Sequence, residues 1–265
     1  MLGKKIGVIG YGNMGSAILR GAVETDAFEK EDFCVYDISG EAMERAEELN
    51  VPTVDSCAHL CDGCDIMILA VKPQNAAEAL ASCKGHLENK ALVSIVAGLS
   101  TERIMAMVDE GVRVLRVMPN TPALVSEGAF VLCSDNNLNE EEAALTDKLF
   151  VSIGIVEWVP EKLMDVACGL SGGGPAYAAM FIEALADGAV KQGLPRDTAY
   201  KLAAQTCLGT SKMILDTKIH PGALKDMVTS PGGTTIEGVE ALEQGGFRYS
   251  VMNCIKAATE KSKKL

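Results

Sequence analysis

The chain has 265 residues, 48% of them hydrophobic, 23% charged and 5% aromatic, and a formal net charge of -12 at pH 7. It is long enough to bury a core and longer than the usual single domain, so one larger domain with a smaller companion is expected. An acidic chain with few stacking rings argues against a nucleic-acid partner, and no apolar run, 66–71 and 91–99 being the longest candidates, reaches the length of a membrane span.

A strand-like run begins soon after Met1, leaving no room for a signal peptide, and the nine cysteines are read as thiols of a reducing, cytoplasmic compartment. The opening segment, Lys4-Lys5-Ile6-Gly7-Val8-Ile9-Gly10-Tyr11-Gly12-Asn13-Met14-Gly15, leads into an apolar helical pattern at Ile18, Leu19, Ala22 and Val23. That is strand, glycine turn, helix. Gly10 permits the tight turn, Gly12 a close approach to a pyrophosphate, and Gly15 close helix packing, while the helix N-terminus offers oriented N–H donors. A second strand, Phe33 to Tyr36, ends at Asp37, about 20 residues beyond the glycines, where a dinucleotide fingerprint places its acidic residue. A carboxylate there bonds ribose hydroxyls and repels a 2'-phosphate, and Ile38-Ser39-Gly40 brings no arginine, so the residues by themselves favour NADH.

Cys57, His59, Cys61 and Cys64 form a compact group that could hold zinc, but structural zinc usually takes paired knuckles from two segments. A short helix feeding the next strand, with no metal, is expected instead. Strand-like runs then follow at Ile66–Val71, Ala91–Val96, Val112–Met118, Ala129–Cys133 and Ile155–Val159, separated by helical segments such as Ala76–Ala81, Glu102–Val108 and Glu140–Val151. The alternation predicts an α/β fold with a doubly wound, mainly parallel sheet over residues 1–159. Ligands of such sheets lie at the carboxyl ends of the strands, which brings Lys72-Pro73, Ala97-Gly98 and Pro119-Asn120-Thr121-Pro122 to the cofactor's side.

After Trp158-Val159-Pro160 the strand signal stops, and an all-α domain over residues 160–265 is expected. The segment Pro175 to Gln192 has only Glu183, Asp187 and Lys191 as charges, a single stripe on an otherwise apolar cylinder, and Arg196 to Leu215 has a similarly thin polar face at Lys201, Gln205 and Lys212. A domain of this size cannot cover that much apolar surface alone, so a homodimer is expected. The loop Val228-Thr229-Ser230-Pro231-Gly232-Gly233-Thr234-Thr235 opens a helix to about Leu242. Its glycines, free N–H groups and hydroxyls suit a small anion; an ordinary threonine-capped helix start is the other reading.

Together these stretches resemble pyrroline-5-carboxylate reductases over essentially the whole chain. The resemblance rests on Gly10 to Gly15, Ala70-Val71-Lys72-Pro73, Met118-Pro119-Asn120-Thr121-Pro122, Gly174-Pro175-Ala176-Tyr177, His220-Pro221-Gly222 and, most specifically, Ser230-Pro231-Gly232-Gly233-Thr234-Thr235. It implies an N-terminal Rossmann domain followed by a helical dimerisation domain, often assembled into rings of dimers. By the same analogy NADP(H) or NAD(H) contacts Gly10, Tyr11, Gly12, Asn13, Met14, Ala70, Val71, Lys72 and Pro73, with Asp37 and Asn120 at strand ends beside it. The carboxylate of 1-pyrroline-5-carboxylate is held by Ser230, Gly233 and Thr234, with Val228 at the head of the loop, and Thr235 faces the imine nitrogen as the catalytic residue. Two positions depart from the family's habit: Gly173 stands where a serine is common, and Asp37 ends the strand although many members prefer NADPH.

The implied reaction is hydride transfer to an imine, giving proline, in which the protein mainly positions two rings and excludes water. An alternative is a hydroxyacid dehydrogenase-like oxidoreductase, but alcohol oxidation needs a base, and 174–190 holds neither the lysine nor the asparagine those families use. A non-catalytic dinucleotide sensor is the reading from a different class. His59, His86 and His220 are isolated and read as surface or packing residues, and Glu140 to Glu142 as a favourable first helical turn.

Overall fold

A computed structural model describes residues 4–264; Met1 and Leu265, touched by the expectations about a leader and about the end of the helical region, lie outside the described residues. The chain divides into two compact units, 4–173 with 258–264 among the described residues, and 174–257. The first therefore runs past Pro160 to Gly173 and takes back the C-terminal residues.

In the first unit seven strands form one sheet: β1 (Ile6–Ile9), β2 (Phe33–Tyr36), β3 (Ile66–Leu69), β4 (Ala91–Ser94), β5 (Arg113–Met118), β6 (Gly128–Cys133) and β7 (Gly154–Val159), in the order β2-β1-β3-β4-β5-β6-β7. All pairings are parallel except β5 with β6, which runs antiparallel. The segment 119–127 between those two is too short for a helical crossover, and a direct return can only reverse the strand. Central strands β1, β3 and β4 are buried at every position, as a sheet covered on both faces requires, whereas edge strand β7 exposes Ile155 and Glu157 on one face and Trp158 on the other.

The sheet's helices are α1 (Asn13–Glu24), α2 (Gly40–Glu48), α3 (Cys57–Gly63), α4 (Ala76–Ser82), α5 (Thr101–Met105), α6 (Glu140–Val151) and α7 (Met164–Ala167). Local chemistry sets their starts. Ser39, Ser56, Ser100 and Asn139 each accept an N–H of the turn that follows, and Asn139 with Glu142 closes a reciprocal capping box on α6. α1 is the contrast: its N-cap is Gly12, with no side-chain acceptor and no acidic residue in the first turn. Helix α3 is the short feeder expected before β3. Its Cys57 and Cys61 and the following Cys64 turn inward, while exposed His59 bonds Asp55 at 2.6 Å, so the four potential zinc ligands do not converge. All nine cysteines are free.

Beyond β7 a buried ion cluster ties the end of this unit to the sheet. Arg116 of β5, 3% exposed, pairs with Glu161 at 2.5 Å and with Asp165 of α7 at 3.6 Å. Glu161 also accepts from Thr101 at 2.8 Å, and Asp165 accepts from Ser262 at 2.8 Å, which ties down the last turn of the final helix.

The second unit contains α8 (Gly174–Lys191), α9 (Arg196–Thr217), α10 (Pro221–Met227), α11 (Thr234–Gln244) and most of α12 (Phe247–Ser262). Helices α8 and α9 pack on one another, and Phe181 meets Phe247 with ring centroids 5.8 Å apart. Burial within one chain is sparse: Ala186 on α8, Ala199 and Ala203 on α9, Leu224 on α10, and no residue of α11. Met180, Leu185, Leu202, Leu208 and Met252 are exposed.

Candidate functional site

The carboxyl ends of β1, β2 and β3 open into a cleft of about 530 Å³. It lies where the strand order reverses around β1, the crevice in which doubly wound sheets take their ligands. Gly10, Gly12, Asp37, Ala70, Val71 and Lys72 line it, as the sequence leads one to expect. Two glycines have separate reasons to be there. Gly10 sits at φ +98°, with the Ala70 carbonyl 2.8 Å from where a Cβ would stand, and a Cβ at Gly15 would collide with the carbonyl oxygen of Gly10. The turn closes only without side chains, which lets α1 start directly against the strand ends. At Gly12 nothing lies within 4 Å of a Cβ position, leaving the open approach an incoming phosphate needs.

The geometry fits a dinucleotide. The N–H groups of α1's first turn have no side-chain acceptor, so the helix offers its positive end to an anion, unlike the capped starts of α2, α3, α5 and α6. Asp37 is fixed on both sides: Oδ2 accepts the Tyr11 N–H at 2.6 Å and Oδ1 the Ser39 N–H at 2.8 Å. Asn13, Met14 and Pro73 flank the cleft without lining it. Tyr11 joins through its backbone only. Its ring is buried in the sheet unit's core with an unpartnered hydroxyl, and burial pushes its pKa up against the opposing influence of Arg20 and Arg45.

Asn120 stands at the end of β5, nearly buried, and its Oδ1 accepts the Ala129 N–H at 2.8 Å. Since the oxygen must face that donor, the orientation of the amide is assigned and its NH2 is turned away from Ala129. Residues that the sequence reading did not single out complete the cleft: Glu41, Ala42 and Arg45 on α2, Asn75, and Ala79 and Ser82 on α4. Glu41 and Arg45 pair at 2.9 Å one turn apart, a spacing visible in the sequence, but which face of α2 looks towards β1 is not.

In the helical unit, the turn before α11 is built around Ser230. Its carbonyl accepts the Gly233 N–H at 3.1 Å, Gly232 takes φ +66°, and Gly233 lies so close beneath the Ser230 hydroxyl that a Cβ there would collide with it. Helix α11 then begins on Gly233 with no side-chain cap. Its first N–H groups, the Ser230 hydroxyl and the hydroxyls of Thr234 and Thr235 thus share one exposed turn, headed by exposed Val228. The acidic side chain of the first turn, Glu237, is also exposed. Such a turn can take a carboxylate without importing a charge.

A doubly wound sheet with an uncapped glycine turn and a fixed carboxylate defines a dinucleotide-binding protein, and comparison with known families places it among the pyridine-nucleotide oxidoreductases. Residues 161–265 match a family model described as pyrroline-5-carboxylate reductase dimerisation, and residues 5–98 one described as NADP oxidoreductase, coenzyme F420-dependent. A pyrroline-5-carboxylate reductase of Methanosarcina acetivorans is 42% identical over all of this chain and 99% of its own. Among solved structures, the NADP-bound pyrroline carboxylate reductase of Plasmodium falciparum is 39% identical with TM-score 0.89, covering 100% of this chain and 98% of that one. The pyrroline-5-carboxylate reductase of Coxiella burnetii is 31% identical with TM-score 0.92, covering 98% of each. The chain belongs to the pyrroline-5-carboxylate reductase family.

Proposed function

We propose that this chain reduces 1-pyrroline-5-carboxylate to L-proline, the last step of proline synthesis, with NADPH or NADH. The observation that carries the reading is the turn at Ser230–Thr235, an uncharged helix opening whose donors suit the carboxylate of a small ring. The reduced nicotinamide supplies the hydride. The chain positions the partners: Gly10, Gly12, Asn13 and Met14 receive the pyrophosphate on the open start of α1, Ala70 to Pro73 border it at the end of β3, and Asp37 takes the adenosine ribose. The fixed amide of Asn120 is the donor for the nicotinamide end.

On the substrate side, Ser230, Gly233 and Thr234 hold the carboxylate below Val228, and the Thr235 hydroxyl orients the imine nitrogen. No titrating acid is required of the turn, because an iminium is already electrophilic and a hydroxyl can hold the nitrogen without giving up a proton. The dehydrogenase alternative calls for a lysine with a nearby asparagine on this helix; α8 has no asparagine, and its one lysine, Lys191, is its last residue. The exposed apolar helices of the second unit support a homodimer. A ring of such dimers follows from the resemblance, and the nine free thiols suit the cytoplasm.

The test is substrate-dependent loss of reduced-nicotinamide absorbance with 1-pyrroline-5-carboxylate, on protein whose mass is measured by light scattering. Thr235→Ala is expected to lower kcat about tenfold or more with cofactor affinity kept, and Ser230→Ala to raise KM by about the same factor. Unaltered kinetics in both variants would remove the site assignment. A well-behaved monomer would remove the homodimer.

A further inference from the structure

We propose that this chain selects NADH over NADPH, with Asp37 accepting the two hydroxyls of the adenosine ribose and the neighbouring Ile38 and Glu41 leaving a 2'-phosphate without a cation. The inference rests on the dinucleotide reading of the cleft and deepens it. Asp37 is not a free rotor at the cleft edge, because the glycine turn holds one of its oxygens through the Tyr11 N–H at 2.6 Å and the start of α2 holds the other through the Ser39 N–H at 2.8 Å. A carboxylate has about four acceptor positions. Two are used by the backbone, and two remain for a vicinal pair of hydroxyls. A phosphate brought to the same place would meet fixed negative charge that cannot swing away.

The charges around it point the same way. Asp37, Glu41 and Glu78 line the cleft against Arg45 and Lys72. Arg45 is already engaged, donating to Glu41 at 2.9 Å and to the Tyr11 carbonyl at 3.3 Å. Lys72 follows β3, which is separated from β2 by β1, so its backbone stands roughly 10 Å across the sheet from Asp37, on the side of the glycine turn that faces β3. The residue after Asp37, where a cation for a 2'-phosphate would be nearest, is Ile38, 84% exposed and unable to bind one. Ser39 caps α2 by accepting the Ala42 N–H at 3.4 Å, and its hydroxyl, though still able to donate, is uncharged and cannot neutralise a phosphate.

Selectivity is read by binding, without imine substrate: the purified protein is titrated with NADH and with NADPH, following nicotinamide fluorescence, and kcat/KM for each is measured in parallel. The expected result is a Kd for NADH at least about tenfold below that for NADPH, with the same order in kcat/KM. Ile38→Arg changes only an exposed side chain, so a matched melting curve is expected. In that variant NADPH should tighten about tenfold while NADH stays within about twofold. Asp37→Asn should weaken NADH and narrow the gap. Equal or tighter binding of NADPH by the unaltered protein, with Arg45 or Lys72 then serving as the phosphate's cation, overturns the proposal, as does an unchanged ratio in Ile38→Arg. Selective NADH binding without imine reduction would leave this inference standing and sink the proposed reaction; reduction with a preference for NADPH would do the reverse.

Discussion

In the sheet unit Ile6, Ile9, Ile66 and Leu69 are each at most 2% exposed, while in the helical unit Met180 and Met252 are 69% and 72% exposed. The first covers its apolar strands with its own helices and satisfies its buried charges internally, through Arg116 with Glu161 and Asp165, and Arg113 with Glu142. The second has long, apolar helices and almost no interior within one chain, and its ion pairs, such as Lys212 with Asp216 and Arg248 with Glu243, lie in solvent. One unit is complete as a folded object and offers a cleft. The other leaves apolar helix faces uncovered within one chain, and the Ser230–Thr235 turn lies in that sparsely buried unit.

Breaking the self-sufficiency of the sheet unit should have the largest effect. Arg116→Met leaves two carboxylates facing a buried apolar side chain, and the expected loss is about 3–5 kcal/mol, read as a fall in midpoint in denaturant. Because Glu161 and Asp165 hold Thr101 and Ser262 as well, loosening should reach α5 and the C-terminal turn. Retained stability would mean that the cluster is decorative. On the helical unit the same scale of perturbation should go elsewhere. Met180→Asp puts a charge on an exposed position, so the stability of the single chain should move by no more than about 0.5 kcal/mol, yet self-association should weaken by about 2 kcal/mol or more, near thirtyfold. Sedimentation at several concentrations reads that difference. An unchanged mass distribution would mean that this face is free in the assembly.

The same contrast explains what was legible beforehand. Within the sheet unit local signals coincide with local structure: β2 occupies Phe33–Tyr36 and α6 Glu140–Val151 as expected, the latter because Asn139 and Glu142 cap each other. Strand ends were overrun where the chain leaves the sheet to build the cleft. β3 stops at Leu69, not Val71, because Ala70 turns its carbonyl under Gly10, and α5 stops at Met105, not Val108, because the chain must turn back into β5. Apolar runs carry no direction, so antiparallel β6 had to come from the shortness of 119–127. Of the site, the glycine turn, Asp37 and Lys72 were readable as motif, whereas the roles of Arg45 and Ala129 depend on contacts between distant segments, Arg45 with Tyr11 and Ala129 with Asn120.

Acid should sharpen the comparison with the smallest effect. Glu142 is 3% exposed; burial pushes its carboxyl up, but Arg113, donating at 2.6 and 2.7 Å, and the Asn139 N–H more than offset that, and the folded-state pKa lies below the usual carboxylate range. Glu161 ends on the same side, with burial outweighed by Thr101, Cys133 and Arg116. A carboxyl depressed on folding contributes stability that is complete above its unfolded pKa, about 4.3, and disappears as pH falls through the lower folded value. Unfolding free energy should therefore be level from neutral pH to about 5 and fall below it. Arg113→Gln should remove about 1 kcal/mol at neutral pH and flatten that acid limb, because its carboxylate partner then has less to lose on protonation. Lys212→Gln in the helical unit, where the pair with Asp216 is exposed and screened, should leave the limb as it was. An equal flattening in both variants would show that the acid response reports total charge and not the buried pairs of the sheet unit.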